Sequence, residues 1–527
     1  MPWWMKPTSS ALQHGRVLAV VALLAVGSAW GRQLPTIAAA SGGARPLEFP
    51  RSAATLLTAL DEPLKLGQFP PMFLMSSEAL KTPELLFKGM DGQGEGQLEM
   101  RILGRYGSGT YDVSASLCAL LLANPSDRRT LEAAQRYFNL LLQSPRAYYD
   151  PGHPEHPFDY GSPQANQVVG KDGYFFNIYG PWEIKDPLTG ATSTWRQWQT
   201  KTGENAWVMK FLLYLNQYIL SYFPEDRAMA DRALVMATQL GDAALCLQIP
   251  DGELVGAYRM GPRVQANTYY DQVSIENVES MESSLRYLYL LTGDYKYTAS
   301  ADAARDFLDA KAIVFQDNDR NLPLILQEYI LQNGRWMPQG ADASDVVAWY
   351  LLSSFHRYDD LSGLERIDQR YGEGFVIKLV KNCVRNFGVF ENGRLTGMSY
   401  SQESARMCIK SCEWGRFWEI ALKVMAKYTA EKNPADAAAF KTHALGVAKG
   451  LDALRDADGF SPYSSSDDPR EMTSSKWGWN IMPRRFPSLV STAWDILASR
   501  YSQSHKTPFQ PLLDVNVIPA PRAKGDH

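Results

Sequence analysis

Acidic side chains recur at one kind of position in this sequence of 527 residues. Each stands at or near the start of a predicted aromatic-rich helix: Glu204, Glu276, Asp345 and Glu413. Two carboxyl groups in different protonation states can cleave a glycosidic bond, because one donates a proton to the leaving oxygen while the other activates water or attacks the sugar. If the fold gathers these helix starts on one side, the acids predict a catalytic site for carbohydrate.

Glu413 is the first candidate for a catalytic role. It is flanked by Trp414 and Trp418, and rings that exclude solvent raise the pKa of a carboxyl so that it can act as an acid. The alternative is that Glu413 only stabilises a helix start, where the macrodipole favours an anion. Glu204, in the phrase GENAW, is the fourth candidate.

The second and third candidates each have competitors close by in the sequence. Glu276 is the second, and Glu279 and Glu282 on the same predicted helix compete with it. Its alternative is the same helix-start role as for Glu413. Asp345 is the third, and Asp342 competes with it. An N-cap role, in which the side chain accepts a backbone N–H of the first turn, is the alternative for Asp345.

Rings and polar groups that could contact sugar precede the acids or lie in long loops. They are Tyr269, Tyr270, Asp271, Trp182, Trp198, Trp414, Trp477, Trp479 and Arg484. Sugars pack their C–H faces on rings, and an arginine can bind an acidic polysaccharide through paired hydrogen bonds. The alternative is that the loop tryptophans pin their loops to the core and that Arg484 is ordinary surface charge.

Apolar residues at i, i+3, i+4 and i+7 predict the helices that must position these acids. Helical pairs are predicted at 113–123 with 126–142, 204–221 with 225–246, 276–291 with 295–310, 342–355 with 375–387, and 413–429 with 434–454, before a last helix at 489–501. A single hairpin cannot bury its apolar face, so about six of them indicate a closed ring. We therefore predict an all-α dominated fold, an (α/α)6-type toroid with long, partly β-containing loops and an irregular N-terminal arm.

The ends of the chain differ in composition from its middle. Lys6 and Arg16 precede an apolar run from Val17 to Trp30, which is too short to span a bilayer comfortably and predicts an export signal. We assign residues 1–40 to this signal, 41–110 to a lead-in and arm, 111–515 to the toroid and 516–527 to a tail. An uncleaved anchor is the alternative; otherwise the protein is expected in the periplasm or outside the cell, with no membrane span after signal removal.

Bulk composition excludes some classes of partner. The net charge of −4 provides no basic surface for nucleic acid. Five cysteines, with no CxxC pair, argue against a disulfide-dependent fold. His153 and His156 lie in a proline-rich loop and are more typical of solvated side chains than of metal ligands, so we expect no metal and no cofactor.

Five phrases carry a resemblance to a known family: GENAW, SIEN, SDVVAW, CEWG and STAW, which begin at residues 203, 274, 344, 412 and 491. In this order they resemble the six-hairpin glycosidase superfamily, and the resemblance covers about residues 114–508. It implies an (α/α) toroid that carries an inverting glycoside hydrolase, a polysaccharide lyase or a sugar epimerase. Two positions depart from the family phrases, since Trp414 replaces a glycine and Asp495 replaces an aromatic residue.

We therefore expect an exported glycoside hydrolase acting on a polysaccharide or oligosaccharide, with a polysaccharide secretion system as a candidate partner. A polysaccharide lyase is the first alternative, because Tyr269 or Tyr270 could act as a base and Arg263 could neutralise a uronate. The second alternative is a non-catalytic glycan-binding component of polysaccharide export. Trp414, at the family's glycine position, keeps that alternative open.

Overall fold

The computed structural model describes residues 51–74, 107–144, 146–147, 174–179, 183–185, 192–194, 200–262, 269–354, 361–466, 487–504, 507 and 509–511. These residues belong to one compact unit that spans 48–527. Fourteen α-helices lie within these ranges: α1 Arg51–Lys65, α2 Thr110–Ala123, α3 Arg128–Gln143, α4 Thr202–Tyr222, α5 Arg227–Leu247, α6 Ile275–Thr292, α7 Tyr295–Phe307, α8 Ser344–Ser353, α9 Ser362–Tyr371, α10 Phe375–Phe387, α11 Gln402–Arg406, α12 Cys412–Thr429, α13 Pro434–Asp452 and α14 Leu489–Ser504.

Six of these helices form a closed inner ring. Helix α2 packs on α4, α4 on α6, α6 on α8, α8 on α12, α12 on α14, and α14 returns to α2. Each inner helix also contacts an outer one: α3 lies beside α2, α5 beside α4, α7 beside α6, α10 beside α8, α13 beside α12 and α1 beside α14. The predicted (α/α)6 toroid is therefore confirmed.

Sequence pattern separates the inner helices from the outer ones. All ten residues of α8 are buried, because an inner helix has neighbours on every side. The outer helix α13 buries only Phe440, Ala444, Val447 and Leu451, one stripe at helical spacing. A helix that is apolar all round thus belongs to the inner ring, and a helix with one apolar stripe belongs to the outer layer.

Short antiparallel strands lie in the connections between helices, as the sequence predicted. They pair as β1 Ser108–Gly109 with β4 Ile178–Tyr179, β2 Arg146–Ala147 with β3 Tyr174–Phe175, β5 Glu183–Lys185 with β6 Thr192–Thr194, β8 Ile313–Phe315 with β9 Pro323–Ile325, and β12 Gly388–Glu391 with β13 Arg394–Met398. The largest sheet has the order β11 Arg335–Gln339, β10 Glu328–Gln332 and β7 Gln272–Ser274. Strand β7 runs directly into α6, so this sheet fixes the start of that helix.

Helix α1 lies in the N-terminal arm, where the sequence predicts one or two short helices against the main body, and it packs on α3 and α14 in the outer layer. The start of one helix differs from the sequence expectation. Helix α8 begins at Ser344 rather than at Asp342, because the Asp342 carboxylate instead accepts the backbone N–H of Gln402 at 2.9 Å. None of the helices in the described part of the chain is long and apolar enough to cross a membrane. The apolar run 17–30 and the two loop histidines, His153 and His156, lie outside the described residues.

Candidate active site

Five of the six inner helices carry a carboxyl group in their first turn. It is the second residue of α6, α8 and α12 and the third residue of α2 and α4: Glu276, Asp345, Glu413, Asp112 and Glu204. We call these five residues the acid cluster. The sixth inner helix, α14, has Val490 at the second position.

Capping serines hold two of these helix starts. Ser411 accepts the backbone N–H of Trp414 at 3.0 Å, and Ser274 accepts that of Asn277 at 3.4 Å. A capping serine satisfies a backbone donor that the helix itself leaves unpaired. Since each cap stands two residues before its acid, Glu276 and Glu413 occupy equivalent places in the first turn.

A glycine lets the starts of α4 and α6 approach closely. A Cβ atom on Gly203 would lie 1.9 Å from the Asn277 side-chain oxygen, so only glycine fits at this position. Glu204 follows that glycine directly, and Asn277 follows Glu276. The glycine of GENAW therefore brings two members of the acid cluster onto neighbouring, tightly packed helix starts.

A hydrogen-bonded chain joins three inner helices at Glu413. Tyr111 of α2 donates its hydroxyl to Glu413 Oε1 at 2.6 Å, and Trp494 of α14 donates its indole N–H to the Tyr111 oxygen at 2.9 Å. Tyr111 thereby holds the Glu413 carboxyl in place while its own oxygen accepts from the indole. Glu413 has a fixed orientation, as a directional proton donor requires.

Four aromatic rings lie one helical turn below the acids. They belong to four inner helices and form what we call the aromatic floor: Trp207, Trp349, Phe417 and Trp494. Ring centroids are 5.7 Å apart for Trp207 and Trp349, 5.3 Å for Trp349 and Phe417, and 4.1 Å for Phe417 and Trp494. The floor replaces water beneath the acid cluster with apolar surface.

Burial and the charges of neighbouring carboxyls raise the pKa values of Asp345, Glu413 and Asp112. Asp345 and Glu413 are only 4% and 5% exposed. Burial, opposed by a hydrogen bond from Tyr111 and assisted by the charges of Asp112 and Glu276, raises the pKa of Glu413 to about 8. Burial also raises the pKa of Asp345 and of Asp112 to about 7 each. Near neutral pH the acid cluster therefore retains protons, as a site of acid catalysis requires.

Glu276 and Asp345 act on each other electrostatically. Burial is the main cause that raises the pKa of Glu276 well above its usual range, and the Asp345 carboxylate is the next. Two neighbouring carboxyls cannot both ionise readily, so one keeps its proton while the other carries the charge. This pair provides an acid and a base side by side.

A lysine stands at the edge of the acid cluster. Lys201 Nζ lies 3.5 Å from the Glu204 carboxylate and 5.5 Å from the centre of the Tyr269 ring. Burial by itself lowers the pKa of Lys201, but attraction to Glu204, Tyr269 and Glu276 outweighs burial and raises it. Lys201 therefore stays cationic and pairs with Glu204.

The competing acids have other surroundings. Glu282 accepts hydrogen bonds from Arg286 at 2.5 Å and Arg305 at 2.6 Å, so it belongs to a buried ion network between helices. Glu279 is fully buried, and neither of its oxygens has a hydrogen-bond partner among the described residues. Asp342 accepts from the start of α11. Glu276 and Asp345 stand in the first turn of an inner helix, whereas their competitors Glu279, Glu282 and Asp342 do not.

The predicted sugar-binding residues before Glu276 form one short 3-10 turn. Tyr269, Tyr270 and Asp271 are all half-buried there. The Tyr269 ring faces Lys201 and so adjoins the acid cluster. The Tyr270 ring is covered by the Arg259 guanidinium at 3.9 Å, which gives this ring a protein partner.

Trp414 is half-buried and packs edge-on against Tyr400, with 5.0 Å between the ring centroids. Tyr463 stacks on the Tyr400 ring, with 5.5 Å between the ring centroids. The remaining predicted contacts, Trp182, Trp198, Trp477, Trp479 and Arg484, lie outside the described residues, as does Arg263. Trp414 thus adjoins Glu413 as part of a small aromatic group at the rim of the site.

Sequence reasoning missed Asp112, Tyr111 and Tyr463. The signal for Asp112 was available, because TYDVSASLCALLLA places an acid in the first turn before an apolar run, as at the other helix starts. The role of Tyr111 depends on Glu413, some 300 residues later in the chain, and nothing local indicates it. Tyr463 lies within electrostatic reach of Glu413, Asp112, Asp345 and Glu276, again through the fold alone.

Within the described ranges, no three His, Cys, Asp or Glu side chains are arranged to hold a metal ion.

Solved structures of similar architecture come from sugar-processing proteins. One is a cellobiose 2-epimerase from Bacillus thermoamylovorans, at 12% identity over 75% of this chain and 88% of that chain, with a TM-score of 0.47. Another is an unsaturated glucuronyl hydrolase of a Bacillus species, responsible for degradation of glycosaminoglycan, at 12% identity over 88% and 98%, with a TM-score of 0.47. A third is an α-1,6-mannanase of a Salegentibacter species in complex with α-1,6-mannotriose, at 11% identity over 85% and 98%, with a TM-score of 0.43.

No protein-family model matches the chain, and no curated protein matches it in sequence. The ring of helix pairs in this chain agrees with the (α/α) toroid that the five phrases implied. Because one fold can serve different reactions, the reaction must be argued from the residues of this chain.

Proposed function

We propose that this protein is a glycoside hydrolase that cleaves a polysaccharide or oligosaccharide at the acid cluster. The observation that carries the proposal is Glu413, a buried carboxyl fixed by Tyr111 and surrounded by other acids. Glu413 donates its proton to the leaving glycosidic oxygen. The Glu276 and Asp345 pair supplies the ionised carboxylate that activates water or attacks the sugar. The aromatic floor supports this assignment because apolar surface keeps an acid protonated near neutral pH.

A lyase is less well supported by the described residues. It needs an ionised tyrosine or a histidine as base and a cation for the uronate carboxylate. Burial, followed by the charge of Glu413, raises the pKa of Tyr111 well above its usual range, so this hydroxyl stays protonated. Lys201, the cation beside the acid cluster, is paired with Glu204.

Turnover separates a hydrolase from a lyase and from a binding protein. We expect the wild-type protein to release reducing ends from at least one glycan in a panel of glucosamine oligomers, cello-oligosaccharides, mannan and polygalacturonate. Substitution Glu413→Gln should lower kcat by about 100-fold or more, because the proton donor is lost, while glycan binding remains. Release of reducing ends is the measurement, and ultraviolet absorbance reports any unsaturated product.

Glu431→Gln is the matched control, since this exposed acid follows the opposite end of the same helix α12. It should keep full activity. An unsaturated product would identify a lyase, and a glycan that binds without any turnover would identify a binding protein; either result rejects the hydrolase.

We further propose that the protein is exported and works with a polysaccharide secretion system. The basic residues and the apolar run at 17–30 support export. Cell fractionation with N-terminal sequencing of the recovered protein tests this, and recovery of the intact chain from the cytoplasm would reject it.

A further inference from the structure

A cavity of about 710 Å³ opens between β8, β9, the hairpin of β10 and β11, and helix α11. We call it the side cavity. Its volume lies within the roughly 300–1,000 Å³ range of small-molecule sites. Phe315 and Leu324 supply apolar wall, and polar side chains supply most of the rest. The side cavity thus combines apolar surface with many hydrogen-bonding groups, the combination a sugar ring requires.

Two residues that line the side cavity are connected to helix starts that carry members of the acid cluster. Gln327 lines the cavity, and its carbonyl accepts the backbone N–H of Ile275 at 3.0 Å, one residue before Glu276. Asp342 also lines the cavity and stands three residues before Asp345. The cavity therefore lies beside the two helix starts that carry the Glu276 and Asp345 pair.

Primary amides make up half of the polar lining: Gln316, Gln327, Gln339 and Gln402. An amide offers both donors and an acceptor, which suits sugar hydroxyls that donate and accept. Two of the amides have defined neighbours. The Gln316 side-chain oxygen accepts a hydrogen bond from the Asn386 amide at 3.2 Å. The Gln327 amide oxygen lies against Gly340, where an added Cβ would come within 2.9 Å of it.

Most of the charged side chains that line the side cavity are acidic. Glu328, Asp342 and Glu403 are carboxylic acids, and among the described residues that line the cavity Arg406 supplies the only cation. Lys201 also acts on Glu328, but its ammonium is paired with Glu204. A uronate would meet repulsion here, whereas an ammonium group on a sugar would be attracted.

We propose that the side cavity binds a hexosamine residue with a free amino group, in the same glycan chain whose bond the acid cluster cleaves. This rests on the proposed function and extends it to a substrate class, a glycan with unacetylated amino sugars. Glu328 and Glu403 pair with the ammonium group, the amides bind the hydroxyls, and Phe315 packs on the ring.

Binding to the full-length Glu413→Gln protein tests this without turnover. Calorimetry should give the highest affinity for a glucosamine hexamer, lower affinity for its N-acetylated form, and least for oligogalacturonate. Adding Glu328→Gln and Glu403→Gln together should weaken glucosamine binding by about tenfold or more, because charge-assisted hydrogen bonds are lost. Ala341→Trp, which fills the cavity, should weaken it as well.

The matched control is Glu373→Gln with Glu431→Gln, two exposed acids outside the cavity, which should leave binding unchanged. Thermal melting of each variant verifies that it folds. The proposal is overturned if acetylated hexamer or oligogalacturonate binds as tightly as glucosamine hexamer, if the glucosamine hexamer does not bind, or if the cavity variants do not alter its affinity. Failure of the proposed function alone appears differently, as cavity-dependent glucosamine binding by a wild-type protein that releases no reducing ends.

Discussion

Glu413 keeps its proton because its surroundings penalise a negative charge in two ways. The aromatic floor removes water from below, and the carboxyls of Asp112 and Glu276 add repulsion. Tyr111 acts in the opposite sense, since its hydroxyl stabilises the ionised form through a hydrogen bond. The balance raises the pKa of Glu413 to about 8, so the side chain is a proton donor up to slightly alkaline pH.

The pH dependence of activity follows from this balance. A general acid works only while protonated, so kcat/KM should fall as pH rises through about 8. Tyr111→Phe removes the hydrogen bond that lowers the Glu413 pKa, and the alkaline limb of the pH profile should therefore move to higher pH. Kinetics on the cleaved glycan at a series of pH values measure the alkaline limb in the wild type and in the variant.

Tyr295→Phe is the matched control, because Tyr295 is 60% exposed at the start of α7. Its profile should coincide with that of the wild type. An alkaline limb that stays in place or moves to lower pH in the Tyr111 variant would contradict the assignment of Glu413 as the acid.

The sequence could predict where the helices of the site begin and which acids stand in their first turns. Periodicity located the helical pairs, and α10 has the predicted bounds of 375–387. A carboxyl in the first turn then identified Glu204, Glu276, Asp345 and Glu413, which the structure brings together. Local pattern was sufficient here because a helix start is specified by neighbouring residues.

Partners from distant elements were the part that the sequence could not predict. Glu276, Glu279 and Glu282 recur at a spacing of three and look alike in sequence. Only the fold places Arg305 of α7 against Glu282. Asp495 departs from the family phrase for a similar reason, since it pairs with Arg416 of α12 and with Arg455 at 2.6 Å. Both explanations depend on packing between separate helices.

A segment that follows α14 packs against the aromatic floor of the inner ring. Phe509 packs against two rings of the aromatic floor, with centroids 5.3 Å from Trp349 and 5.9 Å from Trp207. Tyr214 of α4 donates to the Gln510 carbonyl at 2.8 Å and holds this segment in place. Two rings of the aromatic floor thus pack against a residue that lies far from them in the sequence.

Replacing that ring should weaken the fold. Phe509 is 3% exposed, so Phe509→Ala removes a buried ring and should lower the free energy of unfolding by about 3–5 kcal/mol. Urea unfolding measures the change. Phe390→Ala is the control, because this phenylalanine is 44% exposed and its loss should cost much less. Equal destabilisation by the two substitutions would show that Phe509 does not complete the core.

The inner ring gathers acids that cannot all ionise, and Glu413 therefore stays protonated near neutral pH. Titration of protein labelled with carbon-13 at the glutamate carboxyl, compared with the Glu413→Gln variant to assign the signal, measures this directly by NMR. We expect a Glu413 midpoint of about 8. A midpoint in the ordinary glutamate range, near about 4.3, would contradict it.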